Sequence, residues 1–420
     1  MGSWKGAPMI SATSDCSAGR FRGRGGILMA LVVLAALMPA AAPMPAGAAE
    51  SAFHAFLESL WPRAAARGVS RATFTQTIAD ITEDPSVPVA VGKQPEFERL
   101  LSAYFKEAVS PTRIARGRAL AGTYRSELET VVRRYGVPSG ILLAAWGMES
   151  DFGRDRGNKD VVRSLATLAF HPRDTDIFVN EFVSALVILE QGRLPRGRLI
   201  GSWAGAMGDP QFMPSAYLKY AVSYRETGAP DIWNNPADTL ASIGHFLRAS
   251  GWNPALPWGV EVVLPENFAF KTLHADFRDF AAAGVKAANG RALPQGRATL
   301  FLPAGASGPA FLLSDNYWVL KAYNNSDSYA LSLACLGDRI EGRSGLHRAW
   351  PKNQTLFSRS EKLEIQKLLA KLNLYRGTFD GKFGQASRDA IHAFQIEAGD
   401  APADGAARAD LLTRLHAAAR

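Results

Sequence analysis

Glu149 closes the stretch Ile141-Leu142-Leu143-Ala144-Ala145-Trp146-Gly147-Met148, which is apolar on every side of a helix. A helix without a polar face is buried, so the sequence puts a carboxyl group at the end of a buried helix. Apolar surroundings penalise the carboxylate, and the negative end of the helix dipole lies beside it. Both effects raise the pKa and favour the protonated acid near neutrality, the state that can protonate a glycosidic oxygen. The competing reading is a Glu at a frayed helix end, solvated or paired with Arg154 or Arg156. A second segment runs from Gly201-Ser202-Trp203-Ala204-Gly205-Ala206-Met207-Gly208 into Pro210-Gln211-Phe212-Met213-Pro214-Ser215. Its small residues let backbones approach closely, while Gln, Ser and Met offer amide, hydroxyl and apolar contacts to a polymer rich in acetamido and hydroxyl groups. Taken alone, it reads equally as a tightly packed helix–loop junction.

The elements that must hold these segments are mostly helical. Phe53, Phe56, Leu57 and Leu60 share a helix face, as do Leu128, Val131 and Val132 ahead of a break at Gly136-Val137-Pro138. Phe178, Phe182, Ala185, Leu186 and Leu189 form another, and Leu240, Ile243, Phe246 and Leu247 a fourth. Between about 258 and 325 the pattern changes: Val260–Leu264, Ala298–Leu302 and Tyr317–Leu320 read as short strands. Helix returns at about Ser328–Ile340. A linker at 346–358 precedes a compact tail at 359–420. Leu363, Ile365, Leu368, Leu369 and Leu372 mark the tail's first helix; Ala390, Ile391, Phe394 and Ile396 mark its second, and Leu411, Leu412 and Leu415 its third. The expected fold is mainly α (α+β), a helical body with a small β-containing insertion plus a three-helix C-terminal module.

The first 48 residues have the layout of an export leader. Arg20, Arg22 and Arg24 precede the apolar run Ile27–Met38; Pro39 and Pro43 follow, and Ala46-Gly47-Ala48 offers a small-x-small cleavage pattern. Twelve apolar residues before the first Pro fall short of the roughly 18–20 a membrane span needs, so cleavage is expected rather than a stable anchor. Removing this segment takes Lys5 and the three Arg away with Asp15, leaving +5 of the whole chain's +8. That mild excess selects no anionic partner, and no nucleic-acid-binding motif accompanies it. Cys335 would then be the single thiol, set among Leu331, Leu333, Ala334 and Leu336, which suits a buried structural residue.

Gly147-Met148-Glu149-Ser150-Asp151-Phe152-Gly153 and the segment Gly205–Ser215 together resemble the membrane-bound-type B family of lytic murein transglycosylases, lysozyme-like enzymes that cut peptidoglycan. Further likenesses are Tyr135-Gly136-Val137-Pro138, Leu165–Phe170 and Ser250-Gly251-Trp252. The tail resembles the peptidoglycan-binding domain 1 module in Asp380-Gly381-Lys382-Phe383-Gly384 and in Ala390, Phe394 and Gln395. The resemblance implies a leader at 1–48, a catalytic domain at 49–345 and a periplasmic protein acting on peptidoglycan glycan strands. It implies no cofactor and leaves room for cell-wall synthesis or division partners. Glu149 would protonate the MurNAc-GlcNAc oxygen and then, ionised, take the proton of the attacking C6 hydroxyl, giving a 1,6-anhydro-MurNAc end.

By matching positions, Ser202, Met207, Gln211, Tyr323, Asn324 and Tyr104 would contact substrate. The chain departs from the family twice. Arg225-Glu226-Thr227-Gly228-Ala229-Pro230-Asp231 lacks the alternating carboxylates of a calcium loop, so no metal is expected. Phe246 stands where a cleft Tyr is common. Two alternatives stay open at this level. One is a hydrolytic muramidase in which Asp151 or Asp155 positions a water; the other is a catalytically weakened wall-binding protein. The tail reads as an appended module that adds affinity for sacculi and leaves cleavage of soluble fragments to the body.

Overall fold

The structure is a computed structural model that describes residues 46–88, 99–171 and 175–420. The leader reading falls on residues 1–48, nearly all outside the described residues. No helix among the described residues is long and apolar enough to cross a membrane.

The apolar stretch forms the helix Ser139–Ser150, in which every residue from Gly140 to Met148 is buried. The helix before it, Arg125–Tyr135, ends at Gly136 with φ of 69°, the left-handed cap that glycine adopts without strain. Pro138 then sets the entry to Ser139–Ser150, so the chain reverses within three residues. Helices Asp327–Ile340, Pro111–Thr123 and Pro236–Ala249 pack around Ser139–Ser150. The core around them includes Phe182, Phe212, Tyr217, Leu240 and Leu336.

The insertion is a five-stranded antiparallel sheet in the order His274–Asp276, Arg297–Phe301, Ala310–Leu313, Gly259–Val263, Lys286–Ala287. The strands expected at 260–264 and 298–302 are present one residue earlier. Tyr317–Leu320 is not a strand: it lies in the helix Asp315–Leu320. Ser314 caps that helix by accepting from the Asn316 amide, and the Asn316 side chain donates to the carbonyls of Asn253 and Leu256. A four-residue apolar run carries too little periodicity to reveal this, whereas the capping Ser does.

The tail contains helices Arg359–Lys371, Gln385–Glu397 and Leu411–Ala418, the first opened by a capping box between Ser358 and Glu361. Its recognisable motif is an internal fastening. The buried Gln366 donates to Asp380 and the Lys382 carbonyl and accepts from the Gly381 amide at 2.9 Å. Gln395 does the same for the third helix, donating to the Ala406 carbonyl and accepting from Gly405. Ile396, expected on the buried face of the second helix, is half exposed, since it sits two positions after Phe394 and so off that face.

Candidate active site

Glu149 lies in the last turn of its helix and is half-buried. The hydroxyl of Tyr329, on the neighbouring helix Asp327–Ile340, donates to its Oε1. Burial, together with the nearby carboxylate, pushes the Tyr329 phenol well above its ordinary range, so it stays a donor at any physiological pH. Tyr323 is buried too, with its pKa pushed up by burial and by Glu149; its hydroxyl has no hydrogen-bond partner among the described residues. Tyr104 also lies close enough to Tyr329 to act on it electrostatically. The buried phenols of Tyr329 and Tyr323 therefore both lie close to one carboxyl group, with Tyr104 near Tyr329.

The turn after Glu149 carries the chain away through three left-handed residues, Asp151, Phe152 and Gly153. Neither arginine proposed as a partner for Glu149 takes that role. Arg154 is exposed, and Arg156 turns to the buried Asp209. Burial raises the pKa of Asp209 while Arg156 opposes the rise. Arg156 also offers its carbonyl to Gln211 Nε2 at 3.2 Å, so the turn after Glu149 and the 201–215 segment are clasped twice. Lys159–Asp160 pairs with Ile200–Gly201 beside this clasp. A Cβ on Gly157 would stand 2.2 Å from the Gly201 carbonyl oxygen, so only glycine fits that approach. Of the carboxylates considered as second catalytic groups, one is held by arginine and the other is exposed. Asp151 binds Arg116 at 2.6 Å with Arg113 at 3.9 Å, and Asp155 is exposed.

The residues expected to contact substrate divide into two groups. Tyr323 and Tyr104 join the Glu149 cluster, and Asn324 is half-buried next to Tyr323. Ser202 is half-buried, its hydroxyl accepting from the Ala206 amide at 3.1 Å. Gln211 spends both Nε2 protons on main chain, at Arg156 and Gly208, with its own φ at 50°. Met207 is fully buried, and its backbone bridges Gly201 and Phe212. Phe246 packs its ring on Tyr323, Tyr220 and Phe212, so it supports the cluster from behind. The sequence reading missed Tyr329. Its signal was local: Ser326 is a helix cap, and Tyr329 is the residue whose amide that cap receives.

Over residues 52–338 the sequence matches the transglycosylase SLT domain family, and over 358–415 a peptidoglycan binding domain family. The chain belongs to the transglycosylase SLT family. Membrane-bound lytic murein transglycosylase B of Escherichia coli (strain K12) is 30% identical to it over 243 residues, 56% of this chain and 66% of that protein. SltB3 from Pseudomonas aeruginosa, solved in complex with NAG-anhNAM-pentapeptide, superposes with a TM-score of 0.78 at 39% identity, covering 87% of this chain and 99% of that one. The Escherichia coli lytic transglycosylase Slt35 in complex with calcium superposes at 0.58 and 26% identity, covering 70% of this chain and 93% of that one. By family the chain is a lytic transglycosylase, and its helical body is lysozyme-like. In this transglycosylase the two carboxylates of the 225–231 stretch are engaged by protein. Glu226 pairs with Arg134 and Asp231 with Arg198, and Asp231 also accepts from the Trp233 and Asn234 amides.

Proposed function

We propose that this transglycosylase cleaves the β-1,4 bond between MurNAc and GlcNAc in peptidoglycan and leaves a 1,6-anhydro-MurNAc end, with Glu149 serving as acid and then base. The observation that carries the reading is one carboxyl group held by Tyr329 among buried phenols, while Asp151 and Asp209 are bound to arginines. A hydrolase of the usual kind needs a second carboxyl group opposite the first. Glu149 gives its proton to the glycosidic oxygen as that bond breaks. The sugar's acetamido group stabilises the anomeric centre, and Glu149 then takes the C6 hydroxyl proton as that oxygen bonds to the anomeric carbon. Protons balance and no water is consumed. The likeness to SltB3, solved with NAG-anhNAM-pentapeptide, supports this product class.

Tyr323, whose buried hydroxyl has no hydrogen-bond partner among the described residues, is the residue best placed to meet a sugar oxygen; Asn324, Ser202 and Tyr104 complete the binding set. Gln211 acts chiefly by holding the loop that carries Ser202. The reading includes removal of residues 1–48 on export, a catalytic domain at 49–345, a linker at 346–358 and a wall-binding module at 359–420, all working in the periplasm. Mass spectrometry of digested sacculi tests it. Muramic ends one water lighter than reducing ends are expected, and they should disappear with Glu149→Gln. Reducing ends alone would mean a hydrolytic muramidase, and undiminished clearing by Glu149→Gln would remove Glu149 as the catalyst.

A further inference from the structure

The tail does not hang from its linker; it is docked on the body. Three of its bonds go to the strand-rich insertion and its flanking loops. Asp389 meets His274 at 2.9 Å, His392 meets the Phe270 carbonyl at 2.7 Å, and Asp404 accepts from the Ala306 amide at 2.8 Å. A fourth contact reaches the catalytic helices. Arg388 lies 4.6 Å over the ring of Phe301 and pairs with Asp327 at 2.9 Å, with both side chains largely buried at 14% and 8% exposure.

Asp327 is the first residue of the helix that carries Tyr329. Ser326 caps this helix, and its hydroxyl accepts from the Tyr329 amide itself. The second oxygen of Asp327 takes Lys321 Nζ at 2.9 Å and the Tyr317 hydroxyl at 3.3 Å. Burial alone would push this carboxyl up; Arg388 and Lys321 together hold it below the usual carboxylate range. A charge so placed is fixed from the body on one side and from the tail on the other. Breaking one half of a buried pair leaves the remaining charge poorly compensated, which moves the backbone that bears it. Two residues on, that backbone aims the Tyr329 hydroxyl at Glu149.

We propose that Arg388, a residue of the wall-binding module, is a positioning residue for the Tyr329–Glu149 pair, acting through Asp327 at the start of the Tyr329 helix. The module thus completes the active site as well as holding the wall. This differs from an appended module that leaves cleavage of soluble fragments to the body. It rests on Glu149 being the acid.

The test uses the full mature chain and a soluble tetrasaccharide of alternating GlcNAc and MurNAc. Arg388→Met keeps the stem and removes the guanidinium; Asp327 retains Lys321 and Tyr317, so the variant folds, and its melting temperature checks this. The expected result is a fall in kcat of about tenfold with KM within about twofold. Asp389→Asn, which loosens the same seam away from Asp327, stays within about twofold of the parent in both constants. Combining Arg388→Met with Tyr329→Phe adds no more than about a twofold loss beyond Tyr329→Phe alone, because both act through one hydroxyl. Arg388→Gln is the milder second variant, read in the same way. Parent-like kcat in Arg388→Met, losses that multiply in the double variant, or an equal loss in Asp389→Asn would each overturn the proposal. Glu149→Gln separates the two readings: if it is inactive while Arg388→Met is parent-like, positioning by Arg388 fails and the acid role stands.

Discussion

Gly140 and Gly337 meet face to face where the Glu149 helix and the Tyr329 helix cross. A Cβ on Gly140 would lie 2.4 Å from the Gly337 carbonyl oxygen, and one on Gly337 would lie 3.0 Å from the Gly140 carbonyl carbon. The two helices run antiparallel, so the glycine contact fixes one end of the pair and Tyr329–Glu149 joins the other. Glu341 sits beside the glycines and accepts from the Gly140 amide at 2.9 Å, placing a carboxylate at the positive end of the Glu149 helix.

Gly140→Ala should therefore cost both stability and rate. The clash is with backbone, which cannot rotate away, so the helices must separate; overpacking of this kind costs about 1–3 kcal/mol. Displacing Tyr329 from Glu149 should lower kcat by about tenfold or more, given how steeply rate depends on placement. Gly122→Ala is the control. It lies in the helix Pro111–Thr123 with nothing within 4 Å of the added methyl, and it should stabilise by about 0.5–1 kcal/mol. Denaturant midpoints and turnover of the two variants, side by side, check the contrast.

Asp338, near the end of the Tyr329 helix, gives a pH dependence with a definite sign. Burial pushes its carboxyl up to about 6, against the pull of Arg343 and the Trp258 indole N–H. A raised folded-state pKa means that the native protein holds this proton more tightly than the unfolded chain. Its contribution is complete below the unfolded value near 4 and is lost as pH rises through about 6. Asp338→Asn, which can still accept from Trp258, should flatten stability across that window. It should also stabilise the protein at pH 7.5, by up to about 3 kcal/mol. Urea midpoints at pH 4.5 and 7.5 for parent and variant measure this; a variant no more stable at the higher pH would show that the ionised Asp338 is well solvated.

The place of Glu149 was legible because its helix is unusual: eight apolar residues ending in one Glu leave few alternatives to a buried helix and a carboxyl at its end. The strands at Gly259–Val263 and Arg297–Phe301 were legible from short, mostly apolar runs between turns. Tyr329 was not: the Ser326 cap and its being the sole aromatic of the helix Asp327–Ile340 single it out locally, but only packing shows that it turns to a residue 180 positions earlier. The burial of Met207 was hidden for a related reason. Its neighbours Gly205, Gly208 and Gln211 advertise a loop near substrate, whereas only three-dimensional packing reveals that the Met side chain points inward. The docking of Arg388 on Asp327 was equally hidden, because an Arg on an amphipathic helix reads as solvated until the surface opposite it is known.

Gln211 should behave as a loop fastener. Gln211→Ala strands the Arg156 carbonyl and leaves the Gly208 carbonyl only the Gln211 main-chain amide, 3.3 Å away, and should destabilise by about 1–3 kcal/mol. Gln211→Glu should be worse at neutral pH, because it sets an anionic oxygen against the same two carbonyl oxygens. Acidification should recover part of the Glu variant's loss and none of the Ala variant's, since only the Glu variant has a proton to gain. Thermal melts at pH 4.5 and 7.5 distinguish these outcomes.

Tyr323 should separate stability from activity. Its ring is locked edge-on against Phe246, with centroids 4.7 Å apart, and its hydroxyl is buried without a hydrogen-bond partner among the described residues. Removing an unpaired buried hydroxyl deletes a desolvation penalty while the ring packing stays, so Tyr323→Phe should match or exceed the parent's stability by about 1 kcal/mol. If the hydroxyl is held in reserve for a sugar oxygen near Glu149, the same variant should lose about tenfold or more in kcat/KM on soluble glycan. A more stable but slower enzyme is the pattern expected when a site keeps an unfavourable polar group for its ligand. A variant that is both less stable and fully active would instead mean that the hydroxyl serves the fold, and unfolding midpoints with initial rates from one preparation decide between them.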